Sequence, residues 1–241
     1  MTAPRSGHTL TKFDHELATL RDLVLGMGGR VEEQLRHAVQ ALREGDTALA
    51  RAVVQGDRAV DRMELQADAD VAQLLALQAP LGVDLRTVLM LARTVNDLER
   101  VGDEAKKIAK TALAVHGEGA AGSAASLPAL DDIAGMAQRA LAMLRGALDA
   151  LVRNDVAQAA ALDADEDALD AAYKAAQARL EAWMAANAER IGTGVRLMFA
   201  LKGLERVGDH AGNIAQYVFY LVEGRDVRHP KAAASTTPPT E

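Results

Sequence analysis

The hexapeptide LERVGD is written twice in this chain, at 98–103 and again at 204–209. Six identical residues at an offset of 106 point to an internal duplication, and a duplication constrains both halves to one architecture. Upstream, ALREGDTALARAVVQGDRAVD (41–61) lies over ALVRNDVAQAAALDADEDALD (150–170) at an offset of 109. Ala41/Ala150, Leu42/Leu151, Asp46/Asp155, Ala50/Ala159, Ala59/Ala168 and Asp61/Asp170 are identical across that register. One loss of three residues between the two blocks reconciles the offsets. The chain reads as one unit written twice.

The unit is helical. Apolar residues at Leu10, Phe13, Leu17, Leu20, Val24, Met27 and Val31 repeat with 3-4 spacing, a narrow stripe suited to helices packed nearly antiparallel. Aromatics make up 3% of the chain, too few for a fold built on strands. The first helix is predicted to end near Glu44-Gly45, and Asp46 then caps a second helix running to about Gln78. Pro80 and Gly82 mark a turn before a third helix over 84–115. Three more helices are predicted at 128–153, 155–188 and 193–223. The expected fold is all-α, two tandem sequence-related three-helix bundles. Residues 1–8 form a flexible N-terminus, 9–115 the first bundle, 116–127 a linker, 128–224 the second bundle, and 225–241 a flexible tail.

The acids carry the chemistry. Glu99 and Asp103 are four apart and share a helix face, as do Glu205 and Asp209. The second helix of each half repeats the spacing in Asp57 with Asp61 and Glu166 with Asp170. The centres of the first two pairs, residues 59 and 101, are equidistant from Pro80. The centres of the other two, 168 and 207, flank Asn187 and Ala188 in the same way. In an antiparallel hairpin equal distance from the turn means equal height, so each half should gather four carboxylates at one level. Like charges so placed repel, and Lys or Arg partners, raised pKa values or bound cations must offset them. Oxygen donors without Cys suit Mg, Mn or Fe, with Ca a further fit. The competing reading is a solvated acidic face neutralised by Arg93, Arg100, Lys106 and Arg206. Gly102 and Gly208 are expected on the acid face, where they would let a helix or a metal cluster approach.

The two LERVGD words, GDRAVD at 56–61, MGGRVEEQL at 27–35, QAP with DLR at 78–86 and GDHAGNIAQYVFYLVEGRDVRH at 208–229 together resemble the PhoU family. The resemblance runs from about Thr9 to His229. It implies a duplicated three-helix fold and a negative regulator of the phosphate-starvation response that also modulates phosphate uptake. It further implies an adaptor, often a homodimer, that contacts a sensor histidine kinase and the ATPase subunit of a phosphate ABC transporter. Such a protein would be cytoplasmic and peripheral to the membrane through its partners. The family's acidic motif falls on Asp57, Asp61, Glu99, Asp103, Glu166, Asp170, Glu205 and Asp209, which the resemblance makes ligands of divalent or trivalent ions (Fe, Zn, Mn or Mg). Asn213 stands where the first half has Lys107, so the second site is expected to be the less compensated.

Other classes are disfavoured. A net charge of −7 with no Lys/Arg block argues against direct nucleic-acid binding. The absence of Cys removes disulfides and thiolate chemistry. MTAPRSGHTL has no apolar h-region, which predicts no signal peptide. A carboxylate-bridged metalloenzyme is the alternative function, but the Glu-x-x-His motif of di-iron bundles is missing. His210 is expected at the surface or rim and Trp183 in the core. GMGG (26–29) reads either as a point of close helix approach or dimer contact, or as a weakened helix. Tyr217, Phe219 and Tyr220 read as helix-end packing or a partner surface.

Overall fold

The computed structural model describes residues 6–117 and 127–227, with side chains from Lys12 onward. Seven helices follow in order: α1 (Ser6–Glu44), α2 (Thr47–Gly56), α3 (Arg58–Gln78), α4 (Val83–His116), α5 (Leu130–Arg153), α6 (Val156–Ala186) and α7 (Ile191–Glu223). A 3-10 turn at Ala188–Arg190 precedes α7, and no strand occurs among the described residues. The expected all-α fold of two related three-helix units is what the chain adopts, α1 to α4 forming one and α5 to α7 the other.

The local signals account for most boundaries. Asp46 accepts hydrogen bonds from the N–H groups of Ala48 (3.0 Å) and Leu49 (2.9 Å), and Asp155 accepts one from Gln158 (2.9 Å). Each cap satisfies donors that the first helical turn leaves free, worth about 1 kcal/mol. The α3–α4 turn uses left-handed backbone at Ala79 (φ 44°) and positive φ at Gly82 (59°) around Pro80. Two boundaries depart from expectation. Helix α1 already includes Ser6–His8, and the second rod is interrupted at Asp57 instead of running unbroken to Gln78. Asp57 keeps helical dihedrals (φ −55°, ψ −37°), but Val60 N–H bonds back only three residues to the Asp57 carbonyl. The expected linker falls largely on 118–126 and the tail largely on 228–241, both outside the described residues.

Phe13, Leu17, Leu20, Val24, Met27 and Val31 are all buried, as their spacing requires. Leu98, Val101, Leu204 and Val207 of the repeated hexapeptide are buried completely. The apolar core runs continuously through both halves. Helices α4 and α7 pack antiparallel: Arg86 reaches Leu221, Asp97 reaches Asn213, and Glu104 reaches Arg206. Beside them α1 packs on α5, where a Cβ at Gly28 would stand 2.6 Å from Leu148 Cδ1. Close helix approach is therefore the role of Gly28 within the GMGG segment. Trp183 is half-buried at the core margin, with the Arg190 guanidinium 5.3 Å from its ring centroid. Tyr217 is buried, and Phe219 and Tyr220 pack against the core, which is helix-end packing.

Candidate metal centres on the two bundles

Each half brings its acids to one face where two helices meet, at the heights that counting from the turns predicts. In the second bundle one carboxylate oxygen each from Asp170, Glu205 and Asp209 lies within 4.8 Å of the other two. Glu166, one turn before Asp170 on α6, faces the same group. Its pKa is raised first by burial and then by the Asp209 and Asp170 charges. Asp209 is raised by burial and by Glu205, with Lys202 opposing. Lys202 closes on Glu205 from the rim.

The first bundle is arranged differently. Asp57 is buried and bound to the Lys106 ammonium, which also lies 3.9 Å from Asp103. Arg100 lies 3.3 Å from Glu99 and 4.0 Å from Asp103. Glu99 Oε2 is nonetheless buried without a hydrogen-bond donor, because the guanidinium contact is poorly directed. Burial, then Asp103, raises the Glu99 pKa; Glu64 and Asp61 add smaller contributions. Glu64 is a member that the paired spacing does not single out, although it sits one turn beyond Asp61. Its own pKa is raised by burial and by Asp68 and Asp61. Beneath this cluster lies Gln34 of α1, 7% exposed, with neither amide atom hydrogen-bonded. It lies between α2 and α4: its Nε2 is 3.7 Å from where a Cβ on Gly56 would stand, and its Oε1 3.5 Å from a Cβ on Gly102.

Four expectations are corrected here. Gly102 and Gly208 face the core instead of the acids. A Cβ on Gly102 would meet Val60, Gln34 and Val31, and one on Gly208 would strike Leu169. His210 is not a rim residue but half-buried, with Nδ1 2.8 Å from Asp97 Oδ1. The Lys107/Asn213 difference lies off both acid faces, because Lys107 pairs with Glu104 (3.0 Å) and Asn213 donates to Asp97 (3.1 Å). Arg206 likewise goes to Glu104, at 2.8 Å, and not to the second cluster.

These residues fit a cation. The donor sets are oxygen only, and Asp170, Glu205 and Asp209 of the second bundle converge within 4.8 Å. Burial disfavours the charged forms of Glu99, Glu166 and Asp209 unless a positive charge is supplied. Fold and site together define a class: a duplicated helical-bundle protein that carries carboxylate clusters on its helix faces. Residues 24–112 and 133–218 match the PhoU domain. The chain belongs to the PhoU family. It is 33% identical to the phosphate-specific transport system accessory protein PhoU of Escherichia coli (strain K12), covering 92% of this chain and 90% of that one. It is 37% identical to the homologous accessory protein of Pseudomonas aeruginosa, over 92% and 90%. The crystal structure of PhoU from Pseudomonas aeruginosa superposes with a TM-score of 0.82 at 36% identity, covering 88% of this chain and 100% of that one. The regulatory protein PhoU from Streptococcus pneumoniae gives a TM-score of 0.79 at 29% identity, over 89% and 99%. No helix among the described residues is long and apolar enough to cross a membrane.

Proposed function

We propose that this protein represses the phosphate-starvation response when phosphate is plentiful and modulates phosphate uptake. It acts as an adaptor between a phosphate ABC transporter, through its ATPase subunit, and a sensor histidine kinase. In this reading it works in the cytoplasm as a homodimer, reaches the membrane only through partners, and has no catalytic step of its own. Asp57, Asp61, Glu99, Asp103, Glu166, Asp170, Glu205 and Asp209 bind metal ions that neutralise the two faces, with Mn, Mg, Fe and Zn as the candidate ions.

The observation that carries the reading is likeness over nine-tenths of the chain to proteins named as accessory to phosphate-specific transport, with all eight acids present. The convergence of Asp170, Glu205 and Asp209 supports the metal component. Deletion in a host strain carrying a phosphate-starvation reporter tests the regulatory component. The reporter is expected to switch on in high phosphate and to be silenced again by the restored gene. Continued repression in a host with no second family member overturns the assignment.

A further inference from the structure

The duplication allows the two acid faces to be compared position by position. Asp57 corresponds to Glu166 at the offset of 109, and Lys106 corresponds to Gly212 at the offset of 106. The Asp57–Lys106 pair is therefore replaced in the second bundle by Glu166 and a glycine. A Cβ on Gly212 would stand only 2.7 Å from Glu166 Oε2, so the carboxylate occupies the space a side chain at 212 would take. Beneath the clusters the contrast continues, with the Gln34 amide in the first half where Met143 lies in the second.

Charges differ in the same sense. Around Asp57, Asp61, Glu64, Glu99 and Asp103 stand two cations in contact, Lys106 and Arg100. Around Asp163, Glu166, Asp170, Glu205 and Asp209 only Lys202 is in contact among the described residues, because Arg206 and His210 turn to Glu104 and Asp97. Lys202 is about half exposed and binds from the rim, whereas Lys106 is inserted between helices against a buried carboxylate.

We infer that Lys106 is a tethered cation, filling in the first bundle the place that a free cation fills in the second. This chain consequently holds metal more tightly at Glu166, Asp170, Glu205 and Asp209 than at Asp57, Asp61, Glu99 and Asp103, where an ion competes with Lys106. The inference rests on the metal-binding reading above and adds to it an inequality between the two sites. An ammonium held by its own chain is always present, so a metal ion entering the first cluster must displace it from Asp57. An ion entering the second cluster meets only the half-exposed Lys202 on Glu205 at the rim. It finds Glu166, Asp170 and Asp209 without an ammonium in contact among the described residues, and relieves the repulsion of the converging acids.

Manganese(II) added to chelator-treated, full-length protein tests this. Metal retained after desalting is measured by elemental analysis, and the melting temperature is recorded with and without the ion. The wild type should retain manganese and melt higher with it. The pair Asp170→Asn and Asp209→Asn should reduce retention to background, while Asp61→Asn and Asp103→Asn should leave it nearly unchanged. Lys106→Gln, which keeps a hydrogen-bond donor for Asp57 without the charge, should gain retained manganese that the Asp61→Asn and Asp103→Asn pair then removes. Equal losses from the two pairs overturn the inference and leave the metal-binding reading standing. No retention and no melting shift in any variant overturns both. Circular dichroism of each variant establishes that helicity is kept, and the contrast between the two Asn pairs stands without the lysine variant.

Discussion

Single positions in this chain have sharply different roles despite similar sequence context. Gly28 and Gly29 are adjacent in α1, yet a Cβ on Gly28 meets Leu148 of α5 while one on Gly29 meets nothing within 4 Å. Glycine in an exposed helix interior lowers stability relative to alanine because the unfolded chain has more freedom to lose. Gly29→Ala should accordingly stabilise the protein by roughly 0.5–1 kcal/mol. Gly28→Leu should destabilise it by about 1–3 kcal/mol, because α1 and α5 must separate to accept the added volume. Urea denaturation midpoints of both variants check the pair, and a loss at Gly29 or tolerance at Gly28 would contradict the packing described. From GMGG alone these two glycines are indistinguishable. The stripe Phe13 to Val31 identifies the face turned to α1's own bundle, but the α5 contact comes from the other half of the chain and leaves no mark in the local period.

Between elements, the seam of α4 and α7 holds the halves together with polar groups as well as apolar ones. Asp97 of α4 is 7% exposed and accepts from His210 Nδ1 (2.8 Å), Asn213 Nδ2 (3.1 Å) and Tyr217 Oη (2.6 Å), all on α7. Glu104, 3% exposed, takes Arg206 and Lys107. Asp97→Ala would strand three donors at a buried junction and should lower stability by about 2–4 kcal/mol. Chemical denaturation reads that loss, and a change within 0.5 kcal/mol, the ordinary scatter of surface substitutions, would show the network to be dispensable. The acid faces were legible in the sequence because they repeat, and counting back from Pro80 and Asn187 located their partner pairs. The seam was not, since its residues break the repeat: Asp97 corresponds to Gly203, Glu104 to His210, and Lys107 to Asn213. A comparison of halves favours what they share. Asymmetry between them, including Lys106 against Gly212, becomes readable only when contacts show which face each residue occupies.

Across the whole molecule, two faces of like charge make stability depend on pH in an unusual direction. Glu64, Glu99, Glu166 and Asp209 all have pKa values raised by burial and by neighbouring acids above their ordinary 4.5, or 3.8 for Asp209. Above those ordinary values the folded protein holds protons that the unfolded chain has already released, so stability falls as pH rises through the window up to the folded values. Lys106 and Lys202 do not enter this window. Their raised pKa values contribute stability that is complete below 10.5 and lost only in stronger base. Metal-free protein should therefore melt at a higher temperature at about pH 5 than at about pH 7, the reverse of acid destabilisation by paired carboxylates. Adding manganese(II) should lift the melting temperature most at the higher pH, because metal and protons compete for the same oxygens. Glu166→Gln removes one of the raised groups and should flatten the metal-free dependence. A metal-free melting temperature that is constant or rises between those pH values would show that these acids already find enough positive charge within the fold, and the two faces would then be solvated surfaces needing no bound ion.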